Sequence, residues 1–242
     1  MTEVSAERPD YPVVVSARLD EPLSRGLWLI KWAMLIPHYI LLVFLWIGFA
    51  LVTVVAFFAI LVTGRYPEPL FRFSLGVIRW NWRVQYYGYN ALGTDKYPPF
   101  TLGEVPDYPA TLDIAYPARL SRGLVLVKWW LLAIPHYLLV AALTTGLSWT
   151  SAQSRNSGAA TTWTAPGLVE LCVVIAAVAL LFTTRYPRGL YDLVVGANRW
   201  AYRVLAYAAL MTDEYPPFRL DQGGADPAGL SRPPAESPEP GA

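Results

Sequence analysis

Arg65-Tyr66-Pro67, Arg79-Trp80, Arg83-Val84, Thr94-Asp95 and Tyr97-Pro98-Pro99-Phe100 follow one another in the first half of the chain. The same order returns as Arg185-Tyr186-Pro187, Arg199-Trp200, Arg203-Val204, Thr212-Asp213 and Tyr215-Pro216-Pro217-Phe218. Each set follows a long apolar segment. A polar, arginine-bearing unit behind an apolar one, written twice, reads as an integral membrane protein with an internal duplication.

The offsets between the copies locate an insertion. Ser24 aligns with Ser121 at an offset of 97, Pro37 with Pro135 at 98, and Arg65 with Arg185 at 120. The jump is an extra loop in the second copy. From Leu27 to Thr63 the first copy is apolar for 37 residues, with Lys31 the one residue expected to carry charge. That is too many for one span of roughly 20 residues and enough for two short ones. In the second copy the polar stretch 148–167 divides Leu124–Leu147 from Leu168–Thr183. Each copy is therefore expected to form a hairpin of two membrane helices, turning near Trp46–Gly48 in the first.

Composition supports the membrane. Of 242 residues, 55% are hydrophobic and 15% charged, where a soluble domain carries about 25% charged residues. Ten Trp and fifteen Tyr suit membrane interfaces. The net charge of +1 argues against a nucleic-acid partner. The single cysteine, Cys172, excludes an intramolecular disulfide and a multi-thiolate metal site; it reads as a buried thiol. The acidic first twenty residues do not read as a signal peptide. Nearly all basic residues, among them Arg18, Arg25, Arg65, Arg119, Arg122 and Arg185, fall on one side of the hairpins. By the positive-inside rule that side, with both termini, is cytoplasmic. The repeats are then parallel, about an axis along the membrane normal.

Around the spans, Val13-Val14-Val15 and Leu112–Tyr116 read as short strands, expected to pair with extended pieces at 100–102 and 218–220. Ser24 and Ser121 are candidate N-caps. A third helix is expected in each copy, Pro69–Leu92 and Pro187–Leu210. In the first, Arg72, Gly76, Arg79 and Arg83 make one stripe at helical spacing, which suits an interfacial amphipathic helix. The expected architecture is an all-α membrane protein with four transmembrane helices in two parallel hairpin repeats, each with an interfacial helix and short cytoplasmic strands. Its units are a flexible 1–10, repeat 1 at 11–107, repeat 2 at 108–220, and a disordered tail at 221–242.

This combination resembles the bacterial family known as domain of unknown function 4389. The residues that carry the resemblance are Ile36-Pro37-His38, Gly64-Arg65-Tyr66-Pro67, Arg79-Trp80, Arg83-Val84, Tyr87, Thr94-Asp95 and Tyr97-Pro98-Pro99-Phe100, with their second-copy equivalents. The resemblance implies a bacterial multi-pass protein of the inner membrane. It brings no activity with it.

Three constellations stand out. Arg79, Arg83, Arg199 and Arg203 are candidates for anionic-lipid contact, or for structural ion pairs with Asp95 and Asp213. His38 and His136, the two histidines of the chain, lie in matching Ile-Pro-His-Tyr stretches. They either satisfy backbone groups freed by the neighbouring prolines near the interface or, facing each other, are the two axial ligands of a haem. Lys31 and Lys128 read as snorkelling to the headgroups. No nucleophile–base pair, phosphate-cradling glycine loop or metal-ligand cluster is visible. The expected function is a non-enzymatic scaffold or accessory subunit without a cofactor, engaging lipids, a partner protein or a second copy. A small carrier or channel at the repeat interface, and a haem-binding redox protein, are the alternatives.

Overall fold

The computed structural model describes residues 11–144, 147–152, 160–183 and 185–230. The segments 1–10 and 231–242, for which mobility is expected from the sequence, lie outside the described residues. The described chain is mostly helical. Strand β1 is Val13–Ala17; helix α1 is Trp28–Thr63 and α2 is Glu68–Tyr87; strand β2 is Ala110–Ile114. The second repeat follows with α3 (Arg122–Val127), a π-turn at Lys128–Leu132, and α4 (Ile134–Thr144). Strands β3 (Leu147–Ala152) and β4 (Ala160–Ala165), helices α5 (Leu168–Thr183) and α6 (Arg188–Ala208), and the short turn α7 (Pro227–Leu230) complete it.

The tight hairpin expected at Trp46–Gly48 does not form. Helix α1 runs unbroken for 36 residues, about 54 Å at 1.5 Å per residue. One glycine costs a helix only about 1 kcal/mol. No polar residue or proline is present near Gly48 to break it, and Gly48 lets the Phe73 ring approach. The turn comes instead at Gly64, whose φ of 70° is the left-handed cap conformation that favours glycine. Its N–H donates to Ile60 O.

In the second repeat the same helical path is cut by an insertion. A β-carbon on Gly167 would lie 2.7 Å from the carbonyl carbon of Thr144, so the two ends of the insert meet. The loop expected at 148–167 holds the antiparallel pair β3–β4. Buried residues continue across the cut with the spacing of α1. Phe49, Ala56 and Ile60 of α1 correspond to Val169, Ala176 and Leu180 of α5. Among the described helices α1 alone is long and apolar enough to cross a membrane; α3 to α4, bent by 43°, is a second if counted as one broken span, and α5 has 16 residues. Four transmembrane helices therefore do not follow from this fold.

The body is layered. Strands β1 and β2 pair antiparallel. The expected strands at 100–102 and 218–220 are absent; Arg83 takes up the Thr101 carbonyl, and Arg199 that of Asp221 just after the second piece, as described below. Helix α2 packs on β2 and α6 on β1, so each repeat's arginine helix holds the other repeat's strand. On its opposite face α2 packs on α1, and α6 packs on α4 and α5. Val15 pairs with Leu112, its own equivalent at the offset of 97. Trp82 packs against Tyr202 at 5.2 Å, its own equivalent at the offset of 120. A local twofold axis passes through both pairs.

Burial separates the layers. Large apolar side chains are exposed on α1, on α3 through α4 and on α5, but none on α2 or α6. The remaining exposed large apolar residues are Tyr89, Tyr97, Phe100, Tyr116, Tyr215 and Phe218, all aromatic. An uninterrupted apolar face of this size marks an interaction surface.

Candidate functional site

Each repeat builds the same polar lock inside the apolar layer. Lys31 of α1 is 1% exposed. Its Nζ donates to Thr94 O at 2.7 Å and pairs with Asp95 at 3.1 Å, over the face of Tyr87 at 4.6 Å. Lys128 repeats this with Thr212 O at 3.0 Å, Asp213 at 2.7 Å and the Tyr207 ring at 5.5 Å. The second carboxylate oxygen of each aspartate accepts a backbone N–H at the helix start, Ser24 at 2.6 Å and Ser121 at 2.5 Å. The lysines therefore do not snorkel; a buried ammonium is retained where a carboxylate and a carbonyl take its protons. Ser121 caps α3 through Leu124 N–H, whereas α1 starts later, at Trp28, without a side-chain cap.

The histidines are enclosed one per repeat. Trp80 Nε1 donates to His38 Nδ1 at 3.0 Å, and Phe100 stacks on the imidazole at 4.0 Å. Trp200 Nε1 donates to His136 Nδ1 at 3.2 Å, and Phe218 stacks at 4.2 Å. Tyr97 and Tyr215 close the sides at 4.9 and 4.8 Å. An indole N–H only donates, so each Nδ1 is the accepting nitrogen and the ring proton sits on Nε2. Each Nε2 is buried without a hydrogen-bond partner. Neither neutral ring thus offers the free lone pair that haem iron requires, and the residues do not fit an axial-ligand pair. The Tyr-Pro-Pro-Phe endings, read from sequence as lead-ins to strands, are the lids of these boxes.

The four arginines point the other way, into the strands and tails. Arg79 donates to Leu112 O at 2.8 Å and pairs with Asp113 at 2.7 Å and Glu104 at 2.5 Å. Arg83 donates to Gly103 O at 2.8 Å and to Thr101 O. Arg199 donates to Val15 O at 2.8 Å, Gly223 O at 2.9 Å, Gly224 O at 3.1 Å and Asp221 O, and lies 3.2 Å from Asp226. Arg203 pairs with Asp221 at 2.6 Å and Asp226 at 2.8 Å. The expected partners Asp95 and Asp213 are occupied by the lysines instead. Arg83, Arg199 and Arg203 are buried, so they are not available to a lipid surface. Burial lowers the affinity of Arg83 and Arg199 for their protons, and nearby Asp226 counters this at Arg199. Burial pushes the Asp221 carboxyl up, but Arg203 and Arg219 outweigh it and hold the group below its usual value.

Asp221 and Asp226 lie in the segment expected to be a disordered tail. Residues 221–230 are ordered into the body, with Asp226 1% exposed and bonded to Val15 N–H at 2.8 Å. Composition concealed this, since Gly, Ala and Pro dominate the stretch, and Asp226 has no counterpart in the first copy. For the lysine locks the signal was available, because both Lys and Asp recur in each copy. Cys172 is a free, buried thiol. Among the described residues no group of three or more His, Cys, Asp or Glu side chains is placed to hold a metal.

No curated protein and no solved structure matches this chain. The family model described as domain of unknown function DUF4389 matches residues 25–101 and 159–219. Both matched segments carry the lysine-lock aspartate, the histidine-box tryptophan and the arginine pair, and the chain belongs to that family as two tandem copies.

Proposed function

We propose that the protein is a non-enzymatic, membrane-seated scaffold whose apolar layer lies in one leaflet and whose sheet side faces the cytoplasm. The carrying observation is the unbroken α1 of 36 residues. A helix of about 54 Å that crossed a hydrocarbon core of about 30 Å would deliver its ends to opposite sides. Both ends of α1 carry exposed arginines, Arg25 before it and Arg65 after it, and both are tied to one body. Lys31 binds Thr94 and Asp95 near the start, and Gly64 O accepts Leu120 N–H at 2.9 Å at the end. A helix lying in the interface plane satisfies the charge rule and the continuity together. The exposed aromatic residues then sit at headgroup depth.

Against a carrier stands the packing at the repeat interface. Trp82 on Tyr202, Asn81 to Tyr202 Oη at 2.9 Å and Tyr86 to Tyr191 at 2.8 Å fill the local axis with side chains.

The test uses full-length Cys172→Ser protein in sealed vesicles, with Ser24→Cys or Thr63→Cys added, and a membrane-impermeant thiol reagent. In-plane seating gives labelling of both positions from the same side. Labelling from opposite sides makes α1 a span and removes the proposal.

A further inference from the structure

The arginines singled out in the sequence are consumed by the fold, and a different set is left free. Arg65, Arg119 and Arg122 are all exposed and line one cleft of about 520 Å³ with Thr63, Gly64 and Leu120. The cleft forms where the end of α1 meets the start of the second repeat. Leu120 N–H donates to Gly64 O, and Arg122 Nε would lie 3.6 Å from a β-carbon on Gly64. The contact that closes α1 is therefore also what brings the three arginines to one cleft. No carboxylate lines the cleft. None of the three side chains makes an ion pair or hydrogen bond among the described residues, in contrast to Arg79, Arg199 and Arg203.

Three like charges held together raise one another's energy unless an anion joins them. The negative end of the α1 dipole, about half a charge, offsets only part of three. Planar guanidinium groups fit phosphate oxygens in a bidentate manner. The place fits as well: Val62, 71% exposed, and Phe58, 59% exposed, carry the apolar face up to the mouth of the cleft. A phosphate bound here would stand at the border between that face and water.

We infer that the Arg65–Arg119–Arg122 cleft is a phosphate-binding site, filled by the phosphomonoester headgroup of an anionic phospholipid. This rests on the membrane-seated reading for the source of the phosphate, but not for the site.

Isothermal titration in a neutral detergent separates the two. Full-length protein is titrated with dihexanoylphosphatidic acid, with inorganic phosphate and with dihexanoylphosphatidylcholine. The expected order is phosphatidic acid first, inorganic phosphate weaker, and no heat from phosphatidylcholine. Arg65→Gln, Arg119→Gln and Arg122→Gln together should weaken phosphatidic acid by roughly 100-fold, at about 1 kcal/mol per basic residue. The control removes the same number of exposed arginines outside the cleft: Arg25→Gln, Arg185→Gln and Arg188→Gln, expected to cost under about 5-fold because their charge reaches the cleft only through screening solvent. Inorganic phosphate binding as tightly as phosphatidic acid supports the site with free phosphate as its source. Equal losses in the two triple variants, or no anion binding by the unaltered protein, overturn it. Labelling of α1 from opposite sides with the titration intact would sink the seating proposal alone.

Discussion

The two repeats place an arginine pair at the same position of the same helix and neutralise it in different ways. In the first, Arg79 meets Glu104 and Asp113, whose side chains are 66% and 41% exposed, and Arg83 meets only carbonyls. In the second, Arg199 and Arg203 share Asp226, which is fully enclosed, and Arg203 also takes Asp221. The offset that relates Asp95 to Asp213 brings Tyr108 to Asp226. A buried phenol that donates to Arg83 O and Lys96 O thus stands where the second repeat has a carboxylate. In the first pair the carboxylates facing Arg79 are in contact with water while Arg83 is buried among carbonyls, and in the second the carboxylate itself is sealed in. Sealed charges depend on their partners far more than solvated ones do.

The largest expected effect tests that contrast directly. Asp226→Ala leaves two buried guanidinium groups short of a counter-charge and frees Val15 N–H. The expected loss is about 3–5 kcal/mol, read as thermal unfolding in detergent. Glu104→Ala should cost less than about 1 kcal/mol. Equal losses would show that the sealed network is no more demanding than the open one.

Next in size are the lysine locks, where the repeats agree. Lys31→Met and Lys128→Met each remove a buried ammonium but leave a carboxylate that is about one quarter exposed, 27% and 26%, and that keeps its serine N–H. A loss of about 2 kcal/mol is expected for each, below the cost of a fully buried orphan charge. The local helix differs, since Lys31 lies in unbroken α1 and Lys128 opens the π-turn Lys128–Leu132. A clearly larger loss for Lys128→Met would show that the π-turn is held by its lysine.

What was legible in the sequence follows from what repeats. Duplication exposed the two units, the arginine helices and both histidine boxes' tryptophans, because an offset carries position without any knowledge of packing. Strands β1 and β2 were legible by alternation, but not that they pair with each other, since partner choice depends on the exchange between repeats. The hairpin at Trp46–Gly48 was a wrong inference from length. A 37-residue apolar run need not divide at the bilayer thickness, and neither Pro37 nor Gly48 breaks α1. The second copy's insert does not mark a turn shared by the two copies; it interrupts a helix that the first copy leaves whole. Asp226 was illegible for a different reason: it has no counterpart in the first repeat, so no offset pointed to it.

Acid sharpens the comparison of the arginine pairs. Arg203 and Arg219 hold Asp221 below its ordinary value in the folded chain, so the unfolded chain takes up the proton first as pH falls. The stability from this group is complete above the ordinary carboxylate range near 4 and is lost as pH drops through the lower folded value. Unfolding temperature should therefore fall below about pH 4. Asp221→Asn should start lower at neutral pH and lose less on acidification. A constant difference between the two proteins across that range would remove Asp221 as the acid-sensitive group.

The smallest effect concerns the histidine boxes, where the repeats are most alike and a difference would be most informative. Trp80→Phe and Trp200→Phe keep an aromatic ring against the imidazole but delete the N–H that fixes its tautomer. Each should cost about 1 kcal/mol, the worth of one buried hydrogen bond. Stability alone does not separate a lost hydrogen bond from altered packing, but imidazole ¹⁵N shifts do. In the unaltered protein Nδ1 should carry the signal of an accepting nitrogen and Nε2 that of a protonated one, in both histidines. Either substitution should mix the tautomers of its own histidine and leave the other unchanged, because each box is closed by residues of one repeat, Tyr97 and Phe100 for His38, Tyr215 and Phe218 for His136. A protonated Nδ1 in the unaltered protein would undo the tautomer assignment and return Nε2 to the set of possible ligands.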